Sequence, residues 1–504
     1  MTLGLLIFLP LAFMIFAFMF RHYRGREYIA LAFAGFNLVL ALFLLGKVHA
    51  HDMLKVQIGN WPAPYGITLV ADRFSALMIV VAAIVFAATM AYSIQAVDPR
   101  RKSFGFYLFS FGVIMGVNGS LMAGDVFNLY IWFEVMLMAS FILMGHGGEK
   151  KQIEGSIKYL ILNLISSFFF LAGIGLLYGK LGTLNMADLA LKLSHHTDQF
   201  SSVNPAFILI FVSFAIKGAL VPFFFWLPAS YHTPPPVVTA LFAGLLTKVG
   251  IYSMIRFYTL YWYHDELFWQ PLILWTGGLS MVIGVLTATS QLDFRKVLSF
   301  HIISQVGYVI IGLGFFTVAG LAGAIFFLVH NMISKTNAFL VAGYVHKEQG
   351  TLNLKALGDF YKNHPYWTGL FFISAFSLAG LPLLSGFVGK YLIISAGIQA
   401  GQMNPALIAL FVGLFTLFSM AKIWVEVFWK SQPPECHPSQ APVHLTNGTH
   451  WMTGASTALA LLIVAGGIWA EPLVDYCTQA AESLMIPARY IDFVLHGPYP
   501  EANF

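Results

Sequence analysis

The chain has 504 residues, 58% of them hydrophobic and only 10% charged, whereas a soluble globular domain carries about 25% charged residues. That balance excludes a soluble fold, and a net charge of +5 whose positives fall between apolar runs excludes a nucleic-acid surface. Cys436 and Cys477 stand in different polar segments with no C-x-x-C or Cys/His quartet, so neither a metal centre nor a cofactor is expected.

A membrane-spanning helix needs about 20 apolar residues. Runs of that kind recur over the whole chain, near 3–20, 28–47, 73–95, 104–121, 125–144, 156–179, 205–227, 236–259, 268–289, 299–317, 321–344, 366–398, 405–429 and 452–470. The expected fold is therefore an all-α polytopic membrane protein with about fourteen spans. The first run has neither a basic leader nor a small-residue cleavage site, so it is expected to remain as an anchor. Positive residues gather after odd-numbered spans, at Arg21, Arg24 and Arg26, at Arg100, Arg101 and Lys102, at Lys150 and Lys151, at Arg295 and Lys296, and at Lys347, Lys355 and Lys362. The positive-inside rule then puts the odd-to-even loops in the cytoplasm and both termini outside the cytoplasmic (inner) membrane.

Asp72 and Asp125, ahead of the third and fifth spans, read as interfacial helix caps. The fifth span, "DVFNLYIWFEVMLMASF" (125–141), carries Glu134 among aromatics and methionines. The polar stretch 178–200 that follows the sixth reads as a surface loop with a short helix, and His195 and His196 in it are not expected to be ligands. The seventh span, "AIKGALVPFFFWLP" (215–228), is interrupted at Gly218 and Pro222 and contains Lys217. Lys248 lies in the eighth span and His301 at the start of the tenth; His330 and Lys335 share the eleventh, "FFLVHNMISKTNAF". The twelfth is interrupted again, at Gly380 and Pro382 in "SLAGLPLLSGFVGK" (377–390), and ends this motif with Lys390. In the thirteenth, Lys422 and Glu426 are four apart and can pair on one helix face. "PPECHPS", with Cys436 and His437, reads as plain loop.

Helix breakers inside the hydrocarbon are tolerated where the freed backbone groups line a cavity, and paired broken spans point to the ion site of a transporter. The two breaks lie five spans apart and so run in opposite directions, which predicts two inverted five-helix repeats, spans 4–8 and 9–13. The expected organisation is 1–103 for the first three spans, 104–260 and 261–430 for the repeats, and 431–504 for a loop, the fourteenth span and an outer tail. The alternative is that the prolines merely kink two helices.

A charge at mid-bilayer costs on the order of 2.5–3.5 kcal/mol, so such residues usually face a wet pathway. Burial penalises the charged form of acids and amines alike, which lets both exchange protons near neutral pH. Glu134 beside Lys217, followed by Lys248, His330, Lys335 and Lys390, would form a proton wire with a switch. His301, Lys422 and Glu426 are possible members; the alternatives are an interfacial place for His301 and a surface pair for the other two.

"LMAGDVFNLYIWFEVMLMASF", "KGALVPFFFWLP", "PPPVVTALFAGLLTKVG" and "SGFVGKYL", in this order, resemble the antiporter-like subunits shared by Mrp-type cation/proton antiporters, respiratory complex I and membrane-bound hydrogenases. The resemblance runs from about residue 60, at "GITLVADRFSALM", to about residue 430. It implies fourteen helices, breaks in the seventh and twelfth, and a half-membrane proton path in each repeat joined by a polar axis. Position by position, Glu134 matches the family's acid of helix five, Lys217 its partner lysine, Lys248 the bridging lysine, His330 and Lys335 axis residues of helix eleven, and Lys390 the terminal residue of helix twelve. Lysine rather than glutamate at 390, Ala229, Ser230 and Tyr231 after "WLP", and an end soon after span fourteen favour the Mrp branch and, within it, the D-type subunit. The expected function is thus proton translocation in a hetero-oligomeric Na+ or K+/H+ antiporter alongside other membrane subunits, in a lipid bilayer, without catalytic chemistry of its own. The alternative is a proton-pumping membrane-arm subunit of a redox enzyme.

Overall fold

Eleven helices of the computed structural model, which describes residues 2–21, 23–195, 197–433 and 448–497, are long and apolar enough to cross a membrane. The other three expected spans are also present. The fourth is the 17-residue Phe106–Met122; the seventh stops at Lys217 and resumes at Trp226–Ser230; the twelfth is split into Pro365–Ala379 and Ser385–Gln399. Asp72, Asp125 and Asp293 cap the third, fifth and tenth spans by accepting from the backbone N–H groups of Ser75, Asn128 and Lys296 at 2.8–3.0 Å.

Burial ranks the spans by position. The most apolar window of Pro236–Leu260 is 100% buried, that of Phe294–Gly314 94% and that of Val318–Gln349 89%, against 33% for the first two spans. Spans eight, ten and eleven therefore form the centre, and ionisable side chains on them face protein rather than lipid.

The sixth and eleventh spans, Lys150–Leu181 and Val318–Gln349, are both 32 residues long, and each ends on a left-handed glycine, Gly182 (φ 67°) and Gly350 (φ 69°). "GTLN" follows in both places, at 182–185 and 350–353. Asn185 bridges back to Asp125 and Asn353 to Asp293 in matching antiparallel pairs. Asp293 of the second pair lines a wide funnel that also gathers Arg101, Lys151, Lys347 and His232, so the Lys- and Arg-rich loops share one face. The first pair lies at the other end of its helices, on the opposite face.

Two features add detail to the all-α fold. Leu54–Gln57 and Thr68–Ala71 form an antiparallel two-stranded sheet. The region beyond the fourteenth span (His450–Ile468) folds into two helices, Glu471–Leu484 and Pro487–His496, and the Lys55 ammonium clamps the second by donating to the carbonyls of Phe493 and Val494 at 2.7 and 2.9 Å. Helices of 14 and 10 residues with one apolar face are too short to span and lie against the protein surface instead. The short helix expected within 178–200 is Met186–His195. His196 and residues 434–439 of the "PPECHPS" loop, with Cys436 and His437, lie outside the described residues.

Candidate functional site

The fifth, sixth and seventh spans meet at a relay of three side chains. The Ser167 hydroxyl donates to a Glu134 carboxylate oxygen, and Lys217 Nζ approaches the same hydroxyl at 3.4 Å. Among the described residues, acid and amine form no direct ion pair: one hydroxyl stands between them. Lys217 is 5% exposed and its ammonium lies 4.9 Å from the centre of the Phe133 ring, which supplies part of the stabilisation water would give.

Lys217 owes its place to the break. It is the last residue of its helix; Ala219 then turns left-handed (φ 57°), a conformation uncommon for a residue with a Cβ. Ser280 of the ninth span accepts the stranded Val221 N–H at 2.9 Å, and the Trp226 indole donates at 2.9 Å to the carbonyl of Ile216, which also accepts from the Ala219 N–H at 3.0 Å. The loose backbone groups are thus held by protein, as a break inside the hydrocarbon requires.

The second break is built differently. Gly380 (φ 95°) and Leu383 (φ 73°) take the left-handed turns. Lys390 comes after the break and reaches back, donating to the freed carbonyl of Ala379 at 2.9 Å while packing 5.1 Å from the Tyr308 ring centre. His330 Nδ1 lies 2.8 Å from Ser385 Oγ at the head of the resumed helix, with Ser334 Oγ at 3.1 Å. A Cβ on Gly386 would fall 1.8 Å from the carbonyl oxygen of Ser377 and 2.8 Å from His330 Nε2, so only glycine admits this approach.

Between the two breaks runs a buried axis. Lys248 donates to the Ala243 carbonyl of its own helix, and Lys335 to that of Leu298 at 3.3 Å; they are 1% and 0% exposed. Around them, both amide atoms of Gln305 and of Asn331, Ser304 Oγ, Thr247 Oγ1 and His301 Nδ1 are buried without a protein partner among the described residues. Buried polar atoms of this kind are normally satisfied by internal water, and water between titratable groups is what proton transfer needs.

Of the six main residues of the expected wire, Glu134 and Lys217 meet through Ser167, and Lys248, His330, Lys335 and Lys390 are buried; His301, a possible member, is not interfacial: it is 0% exposed and its Nε2 lies 2.5 Å from Ser419 Oγ. The expected pairing of Lys422 with Glu426 does not occur. Lys422 donates to the carbonyls of Thr289 and Gln291 at 3.0 and 2.8 Å, closing the end of the ninth span, and Glu426 pairs with Lys430. Lys422 is held by those two carbonyls and Glu426 by Lys430, so neither is left for the other. Two residues were missed. Ser167 could have been found from its place in a row of polar residues on the sixth span; Arg256, whose 2.5 Å ion pair with Asp72 is 6% and 4% exposed, had a signal only in its charge within an apolar run. Outside the spans, burial holds the His232 imidazole at the funnel rim below its usual range, and Lys296 and Arg295 add to the effect.

The family described as NADH:quinone oxidoreductase/Mrp antiporter, transmembrane, matches residues 123–416, which hold both breaks and the six main residues of the expected wire. The chain belongs to this family. Its Mrp branch is the near one: the chain is 41% identical over 485 residues to the D-type subunit of the Na(+)/H(+) antiporter of Alkalihalophilus pseudofirmus, covering 95% of this chain and 96% of the relative. A chain of the Mrp complex from Dietzia sp. DQ12-45-1b superposes with TM-score 0.88 at 30% identity, over 98% and 99% of the two chains. A chain of the archaeal membrane-bound sulfane sulfur reductase gives the same TM-score and coverage at 25% identity. Members of the family thus keep one architecture in antiporter and respiratory assemblies, and this chain is a multi-pass member whose relatives work beside other membrane subunits.

Proposed function

We propose that the chain is the proton-translocating component of a multisubunit cation/proton antiporter of the cytoplasmic membrane, in which Na+ or K+ leaves as H+ enters. The observation that carries the reading is the relay Glu134, Ser167 and Lys217 beside a broken helix. With the hydroxyl in place, the carboxylate's charge favours a protonated Lys217; moving either partner away favours release of the proton toward Lys248. Lys335, His330 and Lys390 continue the wire to the second break. The matching Asp–Asn bridges on opposite faces support two inverted five-helix repeats within 104–260 and 261–430, and the basic funnel supports a cytoplasmic funnel face with both termini outside. Identity of 41% to an antiporter protein, against 25% to the sulfur reductase chain, favours exchange over redox pumping.

The test is reconstitution of the complete complex in vesicles. Glu134→Ala and Lys217→Ala should each abolish cation-driven proton movement while the subunits still copurify; antiport at the normal rate in either variant refutes the proposal.

A further inference from the structure

We infer that His301 is a proton acceptor for Lys335 and that Ser419 of the thirteenth span positions it, an inference that rests on the reading of the chain as a proton carrier. Asp125 and Asp293, Gly182 and Gly350, and Asn185 and Asn353 are separated by the same 168 residues, as from 125 to 293. That shared offset aligns the two halves residue by residue. It matches Ser167 of the sixth span with Lys335 of the eleventh, and Phe133 of the fifth span with His301 of the tenth. Glu134 itself is matched by Ile302, so the second half has no acid there and its titratable side chain stands one residue earlier. One residue turns a side chain by about 100° around a helix, which brings His301 within reach of the thirteenth span.

The ammonium of Lys335 ends one turn from His301 along the tenth span. It donates to the Leu298 carbonyl at 3.3 Å, and Leu298 and His301, three residues apart, are neighbours on one helical face. On the next turn of that face, Ser304 Oγ and both amide atoms of Gln305 are buried without a protein partner among the described residues. Such atoms are normally satisfied by internal water, and that water joins the ammonium to the ring. Lys335, His301 and Ser419 are all 0% exposed, so no bulk solvent competes for the proton.

The hydrogen bonds fix which ring nitrogen can take that proton. Ser419 Oγ has one hydrogen and donates it to the Thr416 carbonyl at 3.0 Å. His301 Nε2, 2.5 Å away, therefore meets the lone pairs of Oγ, so Nε2 carries the ring hydrogen and Nδ1 the free pair. The other tautomer would strand an N–H at Nδ1, which is buried with no acceptor among the described residues; a buried donor left without a partner is rare. Ser419 thus leaves one basic atom, Nδ1, for the water beside Lys335. A proton leaving the Lys335 ammonium through that water adds to Nδ1, giving a neutral amine and an imidazolium that keeps its Nε2–H on Ser419. The proton leaves again from Nδ1, and the ring returns to its starting tautomer.

The experiment uses the complete complex in vesicles, with antiport and subunit content measured together. His301→Gln keeps an N–H donor for Ser419 and removes the titratable nitrogen. Antiport should fall roughly a hundredfold, the low end of what a positioned proton-transfer group contributes, with every subunit retained. Ser419→Ala leaves the ring but removes what orients it and should lose roughly tenfold, the scale of one hydrogen bond; Ser419→Thr, which keeps the hydroxyl, should recover most of that loss. Normal antiport in His301→Gln, with Lys217→Ala inactive, overturns this inference whatever the Ser419 variants do, and leaves the proposed function standing. Activity in Lys217→Ala overturns the function itself. A fall in His301→Gln that comes with lost subunits, or equal rates in Ser419→Ala and Ser419→Thr, marks the pair as packing and also overturns the inference.

Discussion

The two broken spans solve one problem in opposite ways. In the seventh, the lysine precedes the break, the carbonyl of Ile216 goes to a tryptophan, and Lys217 is left to face a carboxylate through a serine. In the twelfth, the lysine follows the break and takes the freed Ala379 carbonyl itself; among the described residues Lys390 has no ion-pair partner. A backbone dipole is fixed, whereas Glu134 on a neighbouring helix can approach or withdraw. On the proposed function, the first break therefore carries the adjustable charge and the second a constant one, which would give control of proton movement to the first.

The sharpest break of this contrast is Glu134→Gln, which keeps the shape and removes the charge. Antiport should fall by two orders of magnitude or more, the scale of a lost proton-transfer group, whereas no carboxylate can be removed beside Lys390 with a like result; residual antiport above a tenth of normal would show that Lys217 needs no adjustable partner. Ser167→Ala should act in the same direction but less, by on the order of tenfold, since one hydrogen bond to a charged group contributes about 1.5–3 kcal/mol. Ser167→Thr, which keeps the hydroxyl, should behave more nearly like wild type, and the ratio of the two rates is the readout.

On the other side, Gly386→Ala drives a methyl into the Ser377 carbonyl and should cost about 1–3 kcal/mol as an overpacked site. Its thermal midpoint in detergent should drop, with antiport reduced in proportion to the loss of folded complex. Asp72→Asn tests whether the buried Arg256 pair is scaffold: it leaves a buried charge without its counter-charge, at a cost of about 3–5 kcal/mol, and should lower the midpoint without altering the rate per folded complex. Smallest is Lys422→Gln. The side chain closes a helix end rather than conducting, so antiport should stay within about twofold of normal while stability falls by about 1 kcal/mol; a tenfold loss of rate would return Lys422 to the pathway.

Much of this was legible in the residues. Hydropathy placed most spans close to the helices observed, because length and apolarity are what the bilayer selects; the seventh, expected at 205–227, starts earlier and stops at Lys217. The breaks were equally plain, since glycine and proline act locally. The two terminal helices, the small sheet and the fate of Lys422 were not legible: each is decided by what packs against a short or polar segment.

By itself, the sequence determined the class of protein, the number of spans, the broken helices and the list of ionisable residues that must face protein, since the expense of a charge in hydrocarbon is a property of each residue. Only the tertiary structure decided which of those residues meet. That Ser167 rather than direct contact joins Glu134 to Lys217 and that Lys390 holds a carbonyl both depend on how the helices pack, and a hydrogen bond between helices exists only once both are in place.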